Sequence, residues 1–146
     1  MKNKRPHSQY IKCPTCSKNA WEHRHSMNQG LAVILLKFVR VWNGTPVNLT
    51  DKGFTHNEKC NFQKLKHFNL VVKRTGKKGG SWRLTQKGKD FALGKSLIPK
   101  HVWTYNDYVI EEEPEQTRIV SCLKDNLYWK RYPSYVDEMR SKFECF

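Results

Sequence analysis

Carboxylates are scarce in this chain: 13 Asp or Glu stand against 27 Lys or Arg over 146 residues, a formal net charge of +14. Between positions 59 and 89 there is no carboxylate at all, while ten Lys or Arg fall in that window. Charge of one sign, concentrated in this way, argues against a cationic partner and points to a polyanion, with DNA first among them. Long apolar runs are also missing. The longest covers residues 31–36, far short of the roughly 20 residues that a membrane-spanning helix needs. The opening MKNKRPHSQY is basic but leads into no apolar stretch, so no secretory leader is expected. The five cysteines are odd in number, and only Cys13 and Cys16 are closely spaced. That spacing excludes a disulfide framework and suits a reducing, cytoplasmic setting. Nucleophile elbow, P-loop and dinucleotide fingerprint are absent. The run Glu111, Glu112, Glu113 alternates faces in a strand, which serves an edge better than a metal cluster. No enzymatic activity is expected.

What is present divides unevenly. Residues 1–106 hold 21 Lys or Arg against 4 Asp or Glu, whereas residues 107–146 hold 6 against 9. The asymmetry suggests a nucleic-acid-binding body and a differently used tail. Three stretches follow: a basic lead-in with a Cys/His-rich segment (1–28), a main domain (29–95), and a hairpin with a helical tail (96–146). The fold class is α+β.

The stretch GLAVILLKFVRVWNG is apolar almost all round, with only Lys37 and Arg40 charged and both on one helical face. It reads as a central helix closed by Asn43 and Gly44. Residues 46–54 are short and punctuated, and Gly53 limits any helix there to about two turns. Thr55 followed by Glu58 has capping-box spacing, and Phe62, Leu65 and Phe68 recur on one side of the helix it opens. Asn69 stands where a left-handed residue ends that helix. Residues 70–73 and 81–84 are strand-like around a glycine-rich basic tip. Thr85 caps a further helix that Gly94 closes. HVWTY and YVIEE alternate around Asn106 and Asp107 as a second hairpin. Two helical patterns end the chain, one with Ile119, Leu123 and Leu127, the other after Pro133 with Tyr135, Val136, Met139 and Phe143. Trp42, Trp82 and Trp103 sit in apolar patterns that suit core packing, as does Trp129.

Helix, short helix, helix, two-stranded hairpin and helix is the order of a winged helix-turn-helix domain. The run Leu65-Lys66-His67-Phe68-Asn69-Leu70 resembles the end of a recognition helix in MarR-type regulators. VVKRTGKKGGSWRLTQKGKDF resembles that family's wing and exit, with an Arg-Leu-Thr-x-x-Gly motif at Arg83, Leu84, Thr85 and Gly88. The resemblance covers residues 30–94 and implies duplex DNA as partner. It sets His56, Asn57, Lys59, Gln63 and Asn61 toward base edges in the major groove. Asn and Gln suit adenine there, and Lys suits guanine. It leaves Lys64 and Lys66 for phosphate, and Lys73, Arg74, Lys77, Lys78 and Arg83 of the wing for phosphate or the minor groove. A role in transcription regulation follows from the resemblance.

Cys13-Pro14-Thr15-Cys16 is half of a zinc knuckle, and no second CxxC exists. His23 and His25 share a face if their segment is extended, so a structural Cys2His2 zinc site from Cys13, Cys16, His23 and His25 is expected. His7, His56 and Cys60 are the other candidate ligands. No Glu is placed as a general base of a catalytic zinc. The aromatic tail, with Tyr128, Trp129, Tyr132 and Tyr135, suits a cover for the back of the domain or a homodimer interface. The alternative function is an interaction protein, encoded by a phage or mobile element, that occupies a host nucleic-acid-processing complex.

Overall fold

The computed structural model of the chain describes residues 9–12, 19–73, 81–105, 108–123 and 127–144. In chain order its elements are β1 (Gln9–Lys12), β2 (Asn19–Ser26), α1 (Gln29–Val41), a 3-10 turn (Thr50–Lys52) and α2 (His56–Phe62). A second 3-10 segment (Gln63–Phe68), β3 (Val71–Lys73), β4 (Trp82–Leu84) and α3 (Gln86–Ala92) follow. The chain continues with β5 (Ile98–Pro99), β6 (His101–Tyr105), β7 (Tyr108–Glu112), β8 (Gln116–Thr117), α4 (Ile119–Leu123) and α5 (Leu127–Glu144). The chain is α+β, as its composition of elements implied.

The other helices are laid around α1. Asn28 caps it, its Oδ1 accepting from the Leu31 amide at 2.9 Å, and seven side chains between Leu31 and Val39 are buried. Its two charges both find carboxylates. Lys37 Nζ lies 2.8 Å from Glu58 Oε1 in the first turn of α2, and Arg40 Nε lies 3.6 Å from Glu138 on α5. A helix apolar on nearly every face demands this cover, and α2, α3, α4 and α5 all pack against it.

The expected helix from Thr55 to Phe68 begins as read and ends differently. Thr55 accepts from the Glu58 amide at 3.1 Å while Glu58 Oε1 accepts from the Thr55 amide at 2.9 Å, a complete capping box. After Phe62 the winding tightens to 3-10 geometry. The cause is visible in the apolar spacing. Phe62, Leu65 and Phe68 recur every third residue, and three residues per turn keeps all three on one buried line. Asn69 then takes the left-handed conformation, with φ of 62°. The short helix foreseen within residues 46–54 is a single 3-10 turn.

β3 and β4 pair antiparallel with Val71 opposite Leu84 and Lys73 opposite Trp82. Val47 adds a bridge on the far side of Trp82, its amide and carbonyl each bonded to that residue at 2.9 Å. Below the hairpin, Thr85 ties three segments together. Its Oγ1 donates to the Asn69 carbonyl at 2.6 Å, lies 3.0 Å from that of Leu70, and accepts from the Gly88 amide at 2.9 Å. Gly88 is needed for this approach: a Cβ there would overlap the Leu70 carbonyl oxygen and lie 2.8 Å from Leu84 Cδ1.

Both flanking stretches join one antiparallel sheet of order β1-β2-β6-β7. The hairpin foreseen around Asn106 and Asp107 is present, Tyr105 pairing with Tyr108. The final helix starts earlier than the sequence suggested, with Leu127 on α5, and it passes through Pro133. Packing on both sides of the proline explains its continuity, because Tyr132 and Val136 are buried against the core. Tyr132 donates to the Ala92 carbonyl at 2.7 Å, and burial pushes its phenol up to about 12. A proline's missing amide costs about 3 kcal/mol in a helix interior, and these contacts offset it. Trp42, Trp82 and Trp103 are buried, as expected of core residues; the Trp129 side chain lies outside the described residues.

Gly88→Ala tests the junction at Thr85. In an ordinary helix this change raises stability by about 0.5–1 kcal/mol. Here overpacking of about 1–3 kcal/mol opposes it, so the melting temperature followed by circular dichroism should fall by several degrees. A rise would show that the Leu70 carbonyl does not constrain the site.

Candidate nucleic-acid interface

The capping box fixes where α2 begins and therefore which side chains face outward. Phe62 is buried against Phe38, Phe54 and Trp82, which turns His56, Asn57, Cys60, Gln63 and Lys64 toward solvent, all of them exposed. Lys59 leans toward the 3-10 turn, its Nζ donating to Thr50 Oγ1 at 3.2 Å. Asn61 is half-buried and donates from Nδ2 to the Asn57 carbonyl at 3.1 Å. So His56, Asn57 and Gln63 form the outward polar face, Lys59 borders it, and Asn61 holds the helix rather than reaching out.

Cys60 was read only as a possible metal ligand, and the structure gives it a more central place. It is exposed in the middle of that outward face, with Sγ 3.5 Å from His56 Nε2. The i, i+4 spacing of His56 and Cys60 was the available signal.

On the hairpin, Lys73 and Arg83 are both exposed, and Lys73 Nζ stands 5.9 Å from the Trp82 ring centroid. Lys66 is half-buried at the end of the 3-10 segment. Arg74, Lys77 and Lys78 lie outside the described residues. The described members of the expected basic contact set thus occupy two neighbouring elements, the α2 segment and the β3–β4 hairpin, joined at Asn69 and Leu70 by the Thr85 hydroxyl. Glu58, the carboxylate nearest this surface in sequence, is turned away toward Lys37. The Lys37 hydrogen bond, reinforced by the Thr55 amide, holds its carboxyl below the usual glutamate range.

The Cys/His segment is placed in part. Cys13 and Cys16 lie outside the described residues, in the connection from β1 to β2. His23 and His25 sit two apart on β2 and share a sheet face as expected, their ring centroids 6.4 Å apart. His23 is exposed. His25 turns inward: its Nε2 is 3.0 Å from Thr104 Oγ1 on β6, and its ring stacks on buried His67 with centroids 4.6 Å apart. That stack joins the four-stranded sheet to the segment following α2. Among the described residues no group of three or more His, Cys, Asp or Glu is arranged to hold a metal, and none of the described helices is long and apolar enough to cross a membrane. No family model, curated protein or solved structure matches the chain.

Glu58→Gln separates charge from capping, because glutamine can still accept from the Thr55 amide. A carboxyl held below its ordinary pKa contributes stability above that ordinary value and loses it as pH falls through the folded value. The variant should therefore be less stable than the parent at neutral pH, by roughly 0.5–1 kcal/mol for a partly exposed pair. The difference should vanish at a pH where Glu58 is protonated in both states. Denaturant melts at the two pH values measure it, and a pH-independent difference would remove the ion pair from the account.

Proposed function

We propose that residues 29–95 form a winged helix-turn-helix domain that binds duplex DNA and serves transcription regulation. The observation that carries this reading is the placement of charge. An outward polar face on a capped helix adjoins a basic hairpin, and no carboxylate occurs from position 59 to 89. The order of α1, 3-10 turn, α2, β3, β4 and α3, with Val47 bridged to β4 as a third short strand, supports the winged-helix assignment.

In this reading α2 enters the major groove with His56, Asn57 and Gln63 at base edges. Lys59 and Lys66 meet the phosphates flanking the groove. Lys73, Arg74, Lys77, Lys78 and Arg83 carry the hairpin along the neighbouring backbone, where the glycine tip allows close approach. Replacing Lys77, Lys78 and Arg83 together by Ala removes three of these cations without touching a buried side chain of the described core. Affinity for an arbitrary duplex, read by fluorescence anisotropy, should fall at least tenfold if each contact contributes about 0.5–1 kcal/mol. Parent-like binding by the triple variant would sink the assignment.

A structural zinc belongs to the same proposal, with Cys13 and Cys16 as thiolate ligands at the end of the β1–β2 hairpin. Of the two imidazoles offered as further ligands, His23 is exposed, whereas His25 is half-buried and already engages Thr104 through Nε2. Purified protein should carry zinc in stoichiometric amount, and Cys13→Ser with Cys16→Ser should lose it. Retention of zinc by that double variant would contradict the assignment.

A further inference from the structure

Beside the proposed duplex-binding surface lies an open cleft of about 610 Å³. It is bounded by the 3-10 segment after α2, by β3, and by the first residues of β7. Lys66, Asn69, Val72, Lys73, Tyr108 and Val109 line it, and none of its lining residues is a carboxylate. Its volume falls within the roughly 300–1,000 Å³ of small-ligand sites.

The surface of this cleft is unusual for the chain. Tyr108 is 76% exposed, Val72 49% and Val109 40%, three of the five large hydrophobics that the described residues leave in solvent. An exposed aromatic ring, two valines and two lysines among the lining residues supply the components of a stacking platform with counter-charges for phosphate. The exposed Asn69 side chain adds an amide that can both donate and accept. Its backbone is held in the left-handed conformation and tied by its carbonyl to Thr85, so it stands at a fixed place on the rim.

A base pair within a duplex offers such a platform nothing to stack on, because its faces are covered by its neighbours. An unpaired nucleotide offers a free face and a phosphate together. We infer that this cleft takes an unpaired nucleotide, so that the protein recognises duplex next to a single-stranded extension or an extruded base. The inference rests on the DNA-binding reading above, and the cleft is continuous with that surface because Lys66, Asn69 and Lys73 belong to the α2 segment and to β3. Charge complementarity favours this occupant over an extended peptide on the edge strand β7, since the described lining residues include two lysines and no carboxylate.

The test uses the full chain and three DNAs: a blunt duplex, the same duplex with a short thymidine extension, and one whose extension keeps its phosphates but lacks its bases. Anisotropy titrations at one salt concentration should show the thymidine extension bound about tenfold more tightly than the abasic one, the scale of one stacked base. Tyr108→Ala should bring that ratio to about one while leaving blunt-duplex affinity unchanged, and Tyr108→Phe should retain the ratio. Equal binding of the two extensions by the parent, or a ratio that survives Tyr108→Ala, overturns the inference and leaves the duplex reading standing. If the blunt duplex is not bound while the Tyr108-dependent preference remains, the duplex reading and the junction recognition fall, and only the cleft's contact with an unpaired nucleotide stands.

Discussion

The structure depends on one hydroxyl group and the space beside it. Thr85 Oγ1 gathers the Asn69 and Leu70 carbonyls and the Gly88 amide into one junction. The end of the α2 segment, the foot of the β3–β4 hairpin and the start of α3 thereby acquire a fixed mutual geometry. The Leu70 carbonyl also accepts from the Thr85 amide at 3.1 Å, whereas the Asn69 carbonyl and the Gly88 amide rely on the hydroxyl at a helix end, where a group buried without a partner costs about 1–3 kcal/mol. The glycine three residues after Thr85 permits the approach, and buried Leu84 closes it from the core side. The Arg-Leu-Thr-x-x-Gly run thus has a mechanical meaning: it sets a basic hairpin at a constant distance from an outward helical face.

In the proposed reading, that geometry gives the charge its use. Cations spread over a flexible surface attract any polyanion, whereas cations on two elements locked together can follow two neighbouring backbone tracks of a duplex. The carboxylate that opens α2 is withdrawn from this surface by Lys37, so the cap stabilises the helix without adding acid where phosphate would lie. The same junction places Asn69 on the rim of the Tyr108 cleft, which connects the hairpin's foot to the second nucleic-acid contact inferred above.

Much of this was legible in the residues, for a physical reason. The Thr55 and Glu58 capping box, the left-handed Asn69, the Thr85 cap and the Tyr105–Tyr108 hairpin are local features, decided by residues within a few positions of one another. The change to 3-10 winding after Phe62 was not read, because the threefold spacing of Phe62, Leu65 and Phe68 fits an α-helical period as well. Non-local features stayed hidden. Pairing of β2 with β6, stacking of His25 on His67 and the passage of α5 through Pro133 depend on partners far away in sequence. The cleft was hidden for the same reason, since Tyr108 and Val72 meet only through the tertiary fold. Of the candidate interface, the outward His56, Asn57 and Gln63 were readable from helical phase, as was Cys60 from its i, i+4 spacing to His56, while the half-buried place of Asn61 depends on tertiary packing.

The most direct measurement is the salt dependence of duplex affinity for the intact chain. With about six phosphates neutralised by the α2 segment and the hairpin, the slope of log affinity against log salt should be near −5, an affinity loss of about a thousandfold between 50 and 200 mM. A slope near zero, with duplex binding unchanged across that range, would contradict the account at its centre.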